Sequence, residues 1–204
     1  MQLIGYMDSP FVRRVAVTAE FLGIPYEHRE LSIFRDFEEF SAISPLVKVP
    51  TLVCDSGEVL VESTLIIDYL ESLAGADKTL LPQVGEDRIR ALQIIGIALV
   101  ANEKVAQIIY EIKQRPVELQ HPPWIERLEQ QLRGAIELLH AAVGDGDAWF
   151  FESGISQADI TAAITWRFIQ RIVADKISAD DYPGLVEFSA RAEALTEFSA
   201  CPLS

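Results

Sequence analysis

The stretch SPLVKVPTLVCDSGEVLVESTLIIDYLE, residues 44–71, contains two short apolar runs, a tight turn and the start of a helical pattern. PTLVC (50–54) and EVLVE (58–62) each have the length and the apolar, β-branched content of a strand. The sequence between them predicts a turn, because Gly57 adopts a positive φ without a steric penalty. The two runs are therefore predicted to form a hairpin.

A helix is predicted directly after this hairpin, over STLIIDYLESLAG (63–75), with Ser63 as its N-cap and Gly75 just past its end. Upstream, the chain also alternates between short apolar runs and helical patterns. The predicted elements are strand QLIGY (2–6), helix PFVRRVAVTAEFLG (10–23), strand YEHREL (26–31) and short helix FRDFEEFSAI (34–43). The order β-α-β-α-β-β-α predicts a small mixed four-stranded sheet with helices packed on it.

Strand patterns stop after the segment 75–87, and the rest of the chain is helical in character. The predicted helices cover 87–115, 123–143, 154–174 and 184–195. Ser156 and Asp159 have capping-box spacing at the start of the third of these helices, which predicts a structural role for both. We therefore predict an α/β domain over residues 1–77 and an all-α domain over residues 84–204.

The composition narrows the choice of partners. The chain has 17 Lys and Arg against 31 Asp and Glu, for a formal net charge of −14. Such a charge repels phosphate backbones and anionic bilayers, so neither nucleic acid nor a membrane surface is an expected partner. Cys54 and Cys201 form no disulfide framework, and the Cys and His residues have no metal-ligand spacing, which fits a reducing cytoplasm. No signal-peptide pattern is present at the N-terminus. We expect a cytoplasmic protein without a metal.

Three short segments of the α/β domain place polar groups at the end of a structural element. The first is Ser9, which precedes Pro10 and the first helix. Ser followed by Pro is a favourable helix start, so Ser9 is either a simple cap or a hydrogen-bond donor to a ligand. The second is KVP (48–50), where a cis bond before Pro50 would turn the backbone N–H and C=O of Val49 towards an extended peptide.

The third segment is Glu62 followed by Ser63, at the predicted start of a helix. Helix N–H groups there are suited to a ligand carboxylate, and Glu62 is suited to an ammonium group. Taken alone, each of these residues is commonly a cap, a strand boundary or a solvated charge. Together, the three segments predict a binding site for a peptide-like thiol, with its sulfur at Ser9.

These segments resemble the cytosolic glutathione transferase family, in particular its serine-type members of the plant tau class and related bacterial classes. SPFVRRVAVTAEFLGIPYE (9–27) is similar to the family's active-site helix, and residues 44–71 are similar to its glutathione-binding half. The resemblance implies a thioredoxin-like N-terminal domain, an all-helical C-terminal domain and a homodimer. It also implies that glutathione is a co-substrate and that no resident cofactor is needed.

The resemblance implies a role for each candidate residue along the length of glutathione. These are Ser9 at the sulfur, Val49 beside a cis Pro50 at the cysteinyl backbone, Lys48 at the glycyl carboxylate, and Glu62 with Ser63 at the γ-glutamyl end. GISQADI (154–160) matches the family's structural capping motif. Tyr6 is a rival for Ser9, because other classes of the family use a tyrosine at this place. The chain departs from the family pattern at Val47, where glycine is common, and at Ser44, where asparagine is common.

The implied activity is attack of the glutathione thiolate on a small apolar electrophile, as in detoxification. The acceptor side is expected among Tyr6, Met7, Phe11, Asn102, Ile109, Tyr110 and Trp166. One alternative is a glutathione-dependent thiol–disulfide oxidoreductase or peroxidase, although that chemistry favours a cysteine near position 9. Another is a non-catalytic glutathione-binding protein of the same fold.

Overall fold

The computed structural model describes residues 1–203, which form two compact units. The first unit comprises Met1–Leu80 together with residues 194–203, and the second comprises Leu81–Glu193. The first unit contains a sheet covered by helices, and the second is entirely helical. The predicted fold class is therefore confirmed.

The sheet of the first unit is mixed and has four strands. They are β1 (Gln2–Ile4), β2 (Glu27–Arg29), β3 (Thr51–Val53) and β4 (Val59–Val61). Their spatial order is β2-β1-β3-β4, with β1 parallel to β2 and antiparallel to β3. Strands β3 and β4 form the predicted antiparallel hairpin, in which Leu52 pairs with Leu60. The two central strands supply the buried apolar residues Leu3, Ile4 and Leu52.

Three helices of this unit follow the predicted order, with small differences at their ends. They are α1 (Pro10–Leu22), α2 (Phe37–Ile43) and α3 (Ser63–Ala74). Helix α1 stops at Gly23, the last residue of the predicted helix, whose φ of 68° is the left-handed conformation common just past a helix end. Helix α2 starts later than the predicted residue 34. The reason is that the backbone N–H of Ser32 donates to the Asp36 carboxylate at 2.7 Å, which forms a turn ahead of the helix.

The second unit contains α4 (Gly85–Ile109), α5 (Pro122–Val143), α6 (Gln157–Ile172) and α7 (Pro183–Glu193). The predicted helix 87–115 is α-helical only to Ile109 and continues as a π-helical turn over Tyr110–Gln114. Within residues 1–203, Gly85–Gln114 is the one helix long and apolar enough to cross a membrane. Core helices of soluble proteins also meet that test, and α4 packs against α5 and α6 inside this unit.

The C-terminal residues differ from the predicted domain assignment. A short helix, α8 (Thr196–Ser199), was not predicted, and it packs against α1 of the first unit. The buried guanidinium of Arg13 donates to the backbone carbonyls of Cys201 at 2.9 Å and Phe198 at 3.4 Å. Residues 194–203 therefore belong with the sheet unit rather than with the helical one.

Candidate functional site

Ser9 occupies the N-cap position of α1, with an extended backbone and no capping hydrogen bond from its side chain. Its carbonyl oxygen accepts from the backbone N–H groups of Val12 at 3.1 Å and Arg13 at 2.9 Å. Pro10, the first helical residue, has no N–H to satisfy. The half-buried Ser9 hydroxyl is therefore not used as a cap, and it lies at the positive end of the helix dipole.

The backbone next to this helix has the predicted special geometry. The peptide bond between Val49 and Pro50 is cis. Gly5, at the end of β1, has a φ of +131°, and a Cβ atom there would lie 2.7 Å from a methyl carbon of Val12 and 2.8 Å from one of Val49. The absence of a side chain at Gly5 thus lets β1 pack closely against both α1 and the loop before Pro50. Two of the predicted binding segments are brought together by this packing.

Lys48 and Val47 lie in the loop that leads to the cis bond. Lys48 is exposed, and its backbone carbonyl accepts from Thr51 Oγ1 at 2.6 Å. Val47 has a φ of 43°, which is left-handed and unusual for a β-branched residue. Glycine would adopt this conformation without the steric cost that a Cβ atom brings.

The start of α3 differs from the prediction in one respect, because its N-cap is Glu62 and not Ser63. Glu62 has a φ of 74°, and its Oε2 accepts from the backbone N–H groups of Thr64 at 3.0 Å and Leu65 at 3.3 Å. A carboxylate that accepts two N–H groups forms the stronger cap, so Ser63 becomes the first residue of the helix. The N–H groups of Thr64 and Leu65, expected to face a ligand carboxylate, are held by Glu62.

Arg14 is a site residue that the sequence did not indicate. It is 1% exposed, and its Nη1 donates to Ser63 Oγ at 2.9 Å and to Thr64 Oγ1 at 3.2 Å. Burial lowers the pKa of the Arg14 guanidinium to about 10, and the Glu62 carboxylate opposes this shift, so Arg14 is charged at neutral pH. The available signal was the adjacent pair Arg13-Arg14 in a largely apolar helix. Successive residues lie about 100° apart on a helix, so two adjacent arginines do not share one solvent-facing position.

Tyr6, the rival hydroxyl, has a different partner. Its oxygen accepts from Arg35 Nη2 at 3.0 Å, and the Arg35 guanidinium carbon lies 5.4 Å from the centre of the Tyr6 ring. The backbone carbonyl of Tyr6 accepts from the Ser9 N–H at 3.0 Å. The two hydroxyls are thus three residues apart on one loop, and the Tyr6 hydroxyl is the one bound to a cation.

The predicted capping box is present at the start of α6. Asp159 is fully buried, and its carboxylate accepts from the N–H of Ser156 at 2.8 Å, the hydroxyl of Ser156 at 2.6 Å and the N–H of Phe150 at 2.9 Å. Burial raises the pKa of the Asp159 carboxyl group, although the hydrogen bonds it accepts act in the opposite direction. All these contacts are internal to the helical unit, in keeping with a structural role.

Two expected acceptor-site residues belong to the core of the helical unit. Asn102 is fully buried and donates to Thr165 Oγ1 at 2.9 Å, and Trp166 is buried with its ring against Tyr182. Among residues 1–203, no group of three or more His, Cys, Asp or Glu side chains is arranged to hold a metal ion.

The fold and this site define a protein with a thioredoxin-like domain, a cis-proline loop and a separate helical domain. The family model for the glutathione S-transferase N-terminal domain matches residues 3–78, and that for the glutathione S-transferase C-terminal domain matches residues 122–191. The chain belongs to the cytosolic glutathione S-transferase family.

Individual relatives agree with this assignment. Glutathione S-transferase U4 of Arabidopsis thaliana is 34% identical over 93 residues, which are 45% of this chain and 41% of that protein. Maleylacetoacetate isomerase of Pseudomonas aeruginosa is 28% identical over 171 residues, which are 78% of this chain and 77% of that protein. A solved glutathione S-transferase from Methylobacterium radiotolerans, in complex with glutathione sulfonate, has a TM-score of 0.90 at 24% identity and covers 100% of this chain and 95% of that chain.

Proposed function

We propose that this protein is a glutathione transferase that joins the glutathione sulfur to a small apolar electrophile. The observation that carries the proposal is the Ser9 hydroxyl, which lies at the N-terminus of α1 and makes no capping hydrogen bond. Since the hydroxyl is not needed to cap the helix, it is available to donate to a thiolate.

The chemistry of this step follows from the two groups at the sulfur position. A serine hydroxyl is too weak a base to remove a thiol proton, but it stabilises the thiolate once the proton has left to solvent. The positive end of α1 acts in the same direction. Together they lower a thiol pKa from about 8.5 towards neutrality, so that a useful thiolate fraction exists near pH 7. The thiolate then attacks an electrophilic carbon, a C–S bond forms, and the leaving group departs with its electron pair.

The remaining contacts to glutathione are proposed from the same unit. The backbone of Val49, next to the cis bond, pairs with the cysteinyl residue, and Lys48 approaches the glycyl carboxylate. At the other end, Glu62 faces the γ-glutamyl ammonium and Ser63 donates to the γ-glutamyl carboxylate. Each of the groups proposed here lies in Met1–Leu80, so one unit would supply all of the proposed contacts to glutathione.

We also propose that the protein is a cytoplasmic homodimer. Both cysteines are unpaired and buried, which fits a reducing compartment. Helices α3 and α4 each expose large apolar side chains, and these are suited to contact with a second copy. They are Leu65 and Leu73 on α3 and Ile89, Leu92 and Val100 on α4.

The test is a pH–rate profile for conjugation of glutathione to an aryl halide, measured with the wild-type protein and Ser9→Ala. Loss of a hydrogen bond to a charged group costs about 1.5–3 kcal/mol, so the thiol pKa should rise by about 1–2 units and turnover at pH 7 should fall about tenfold or more. Retention of the protein on a glutathione-affinity column separates an enzyme or binding protein from a protein that does not bind glutathione. An unchanged profile in Ser9→Ala would refute the role of the hydroxyl.

A second candidate function is glutathione-dependent isomerisation, favoured by the similarity to a maleylacetoacetate isomerase over most of this chain. In such a reaction the thiolate adds to an electrophilic carbon and is expelled after bond rotation, so that glutathione is regenerated. The same Ser9 contact would serve both reactions. Product analysis distinguishes them, because conjugation consumes glutathione and isomerisation does not.

A further inference from the structure

Gly5, the residue that follows β1, is bonded to β2 through both of its backbone polar groups. Its N–H donates to the carbonyl of Arg29 at 3.0 Å, which continues the parallel pairing of β1 with β2. Its carbonyl oxygen lies 2.7 Å from Nε2 of His28, a half-buried residue of β2. His28 is therefore bonded to the start of the loop that leads to Ser9.

The His28 ring must donate in this contact, because a carbonyl oxygen has lone pairs and no proton. In the neutral ring the contact places the proton on Nε2, and in the charged ring Nε2 also carries a proton. The contact is therefore available to both charge states of the imidazole. It depends on a donor at the distance of Nε2 from the backbone and not on a positive charge.

The direction of the Gly5 carbonyl has little support from Gly5 itself. Gly5 is buried, has a φ of +131° and carries no Cβ atom, so its backbone torsions are less restricted than those of other residues. A buried carbonyl that loses its donor is unfavourable, and it is relieved when the peptide turns towards another donor. Removal of the His28 ring therefore favours rotation of the peptide unit between Gly5 and Tyr6.

Rotation of this peptide unit affects Ser9, which lies one turn further along the chain. The carbonyl of Tyr6 accepts from the Ser9 N–H at 3.0 Å, so the two residues are coupled. The Ser9 side chain makes no capping hydrogen bond that would hold it in place during such a movement. The direction of the Ser9 hydroxyl thus depends on the backbone of this loop, which His28 helps to fix.

We infer that His28 is a positioning residue for the Ser9 hydroxyl, acting through the carbonyl of Gly5. The inference rests on the proposed function and deepens it, since it adds a residue of β2 to those that determine the contact with the thiolate. His28 itself is bonded to backbone and is assigned no contact with glutathione. A merely structural His28 would affect stability alone, whereas a positioning His28 also affects the pKa of the bound thiol.

The experiment measures the thiol pKa of enzyme-bound glutathione from the ultraviolet absorbance of the thiolate, together with kcat and KM for conjugation to an aryl halide. His28→Leu removes the donor, and in His28→Asn the amide is too short to reach the Gly5 carbonyl. Both variants should raise the thiol pKa by about 0.5–1 unit, and turnover at pH 7 should fall about three- to tenfold. KM for glutathione should change by less than about twofold, because the groups proposed to bind its two ends are untouched.

His28→Gln is the conservative variant, because its amide nitrogen reaches the place of Nε2. It should keep the thiol pKa and turnover near their wild-type values. His140→Leu is the matched control, since His140 is also a half-buried histidine and its ring packs against Tyr182 in the helical unit. It should leave the thiol pKa unchanged even if it lowers the melting temperature.

A double-mutant cycle tests whether His28 acts through Ser9. In the Ser9→Ala background the hydroxyl is absent, so His28→Leu should lower turnover by less than about a further twofold. A structural effect of His28 would instead add its full cost in both backgrounds.

Four results would overturn the inference alone: a wild-type thiol pKa in both His28→Leu and His28→Asn, full additivity with Ser9→Ala, a raised thiol pKa in folded His28→Gln, or a raised thiol pKa in His140→Leu. If the His28 variants do not fold, nitrogen NMR of the wild-type imidazole gives the answer. A proton on Nε2 of the neutral ring supports the contact, and a proton on Nδ1 alone contradicts it. Failure of the wild-type protein to bind glutathione would overturn the proposed function and this inference with it.

Discussion

At the scale of single residues, Val47 combines two opposing contributions to stability. Its φ of 43° is costly for any residue with a Cβ atom, and more so for a β-branched one. Its side chain, however, packs against the core cluster of Ile4, Leu31 and Phe40. The packing stabilises a backbone conformation that valine disfavours, in the loop that leads to the cis Val49–Pro50 bond.

Two substitutions at this position separate the contributions. Val47→Ala keeps the conformational cost and loses packing, so it should be destabilising by about 1 kcal/mol. Val47→Gly loses the same packing and removes the cost, so it should be more stable than Val47→Ala by about 1 kcal/mol. In an ordinary helix or strand the order is reversed, with glycine less stable than alanine. Urea unfolding of the two variants measures the difference, and a less stable Val47→Gly would contradict a strained Val47.

Ser9 and Ser156 form a second informative pair, because both are serines at a helix N-cap. The Ser156 hydroxyl accepts from Ala158 N–H at 3.2 Å, whereas Ser9 makes no such bond. Ser156→Ala should therefore cost about 1–2 kcal/mol of unfolding free energy. Ser9→Ala should change it by less than about 0.5 kcal/mol, as for a substitution that removes no cap. Thermal melts of both variants check this, and a large loss in Ser9→Ala would show that its hydroxyl caps the helix after all.

The residue-scale features differ in how far the sequence predicts them. Gly57 and the Ser156–Asp159 box depend on neighbours a few positions away, so their patterns are local and were predicted. The N-cap of α3 is Glu62 instead of the predicted Ser63. This depends on a positive φ at Glu62, which a glutamate in the sequence does not indicate. The contact of Arg14 with Ser63 joins residues 49 positions apart, and sequence patterns carry no information on such pairs.

At the scale of elements, α1 is held on one side by the C-terminal segment. The Arg13 guanidinium carbon lies 5.7 Å from the centre of the Phe198 ring, and the rings of Phe21 and Phe198 are 6.3 Å apart. Cys201 is fully buried beside Tyr26, and burial raises the pKa of its thiol. The thiol is therefore both inaccessible and protonated while the segment stays in place.

This packing predicts how the Cys201 thiol responds when the segment is loosened. Arg13→Met removes two hydrogen bonds to backbone carbonyls and should make local opening of residues 194–203 more frequent. Labelling of Cys201 by a thiol reagent under native conditions should then accelerate about tenfold or more. Cys54, buried in the sheet region, is the internal control and should react at its wild-type rate. Equal acceleration of both thiols would indicate global destabilisation instead of local opening.

Element existence was predictable here to a greater degree than element boundaries. The strands and long helices have clear apolar periodicity, and glycine or proline marks many of their ends. Helix α8 is only four residues long, too short for a periodic pattern, and its place against α1 depends on Arg13. The π-helical turn at the end of α4 is likewise a matter of packing and hydrogen bonding, since the sequence pattern continues through it without a break.

At the scale of the whole molecule, the net charge of −14 affects both the binding of charged ligands and self-association. Glutathione is itself an anion at neutral pH, so the proposed site would have to bind it through local groups such as Lys48 and Ser63 rather than through the overall field. The same charge opposes self-association, because two copies repel each other. A homodimer must therefore depend on apolar contacts whose contribution exceeds that repulsion.

Salt screens the repulsion between copies and leaves apolar contacts largely intact. The dimer dissociation constant should therefore fall severalfold when ionic strength rises from about 0.02 M to about 0.2 M, a change measurable by analytical ultracentrifugation. A dimer held mainly by ion pairs would weaken over the same range.

Leu73→Glu on α3 and Ile89→Glu on α4 should each shift the protein towards monomer, because they place a charge on the proposed contact faces. Val117→Glu is the matched control, since Val117 is 80% exposed but lies outside both helices. Sedimentation as a monomer at all salt concentrations, or equal dissociation in all three variants, would contradict a dimer built on α3 and α4.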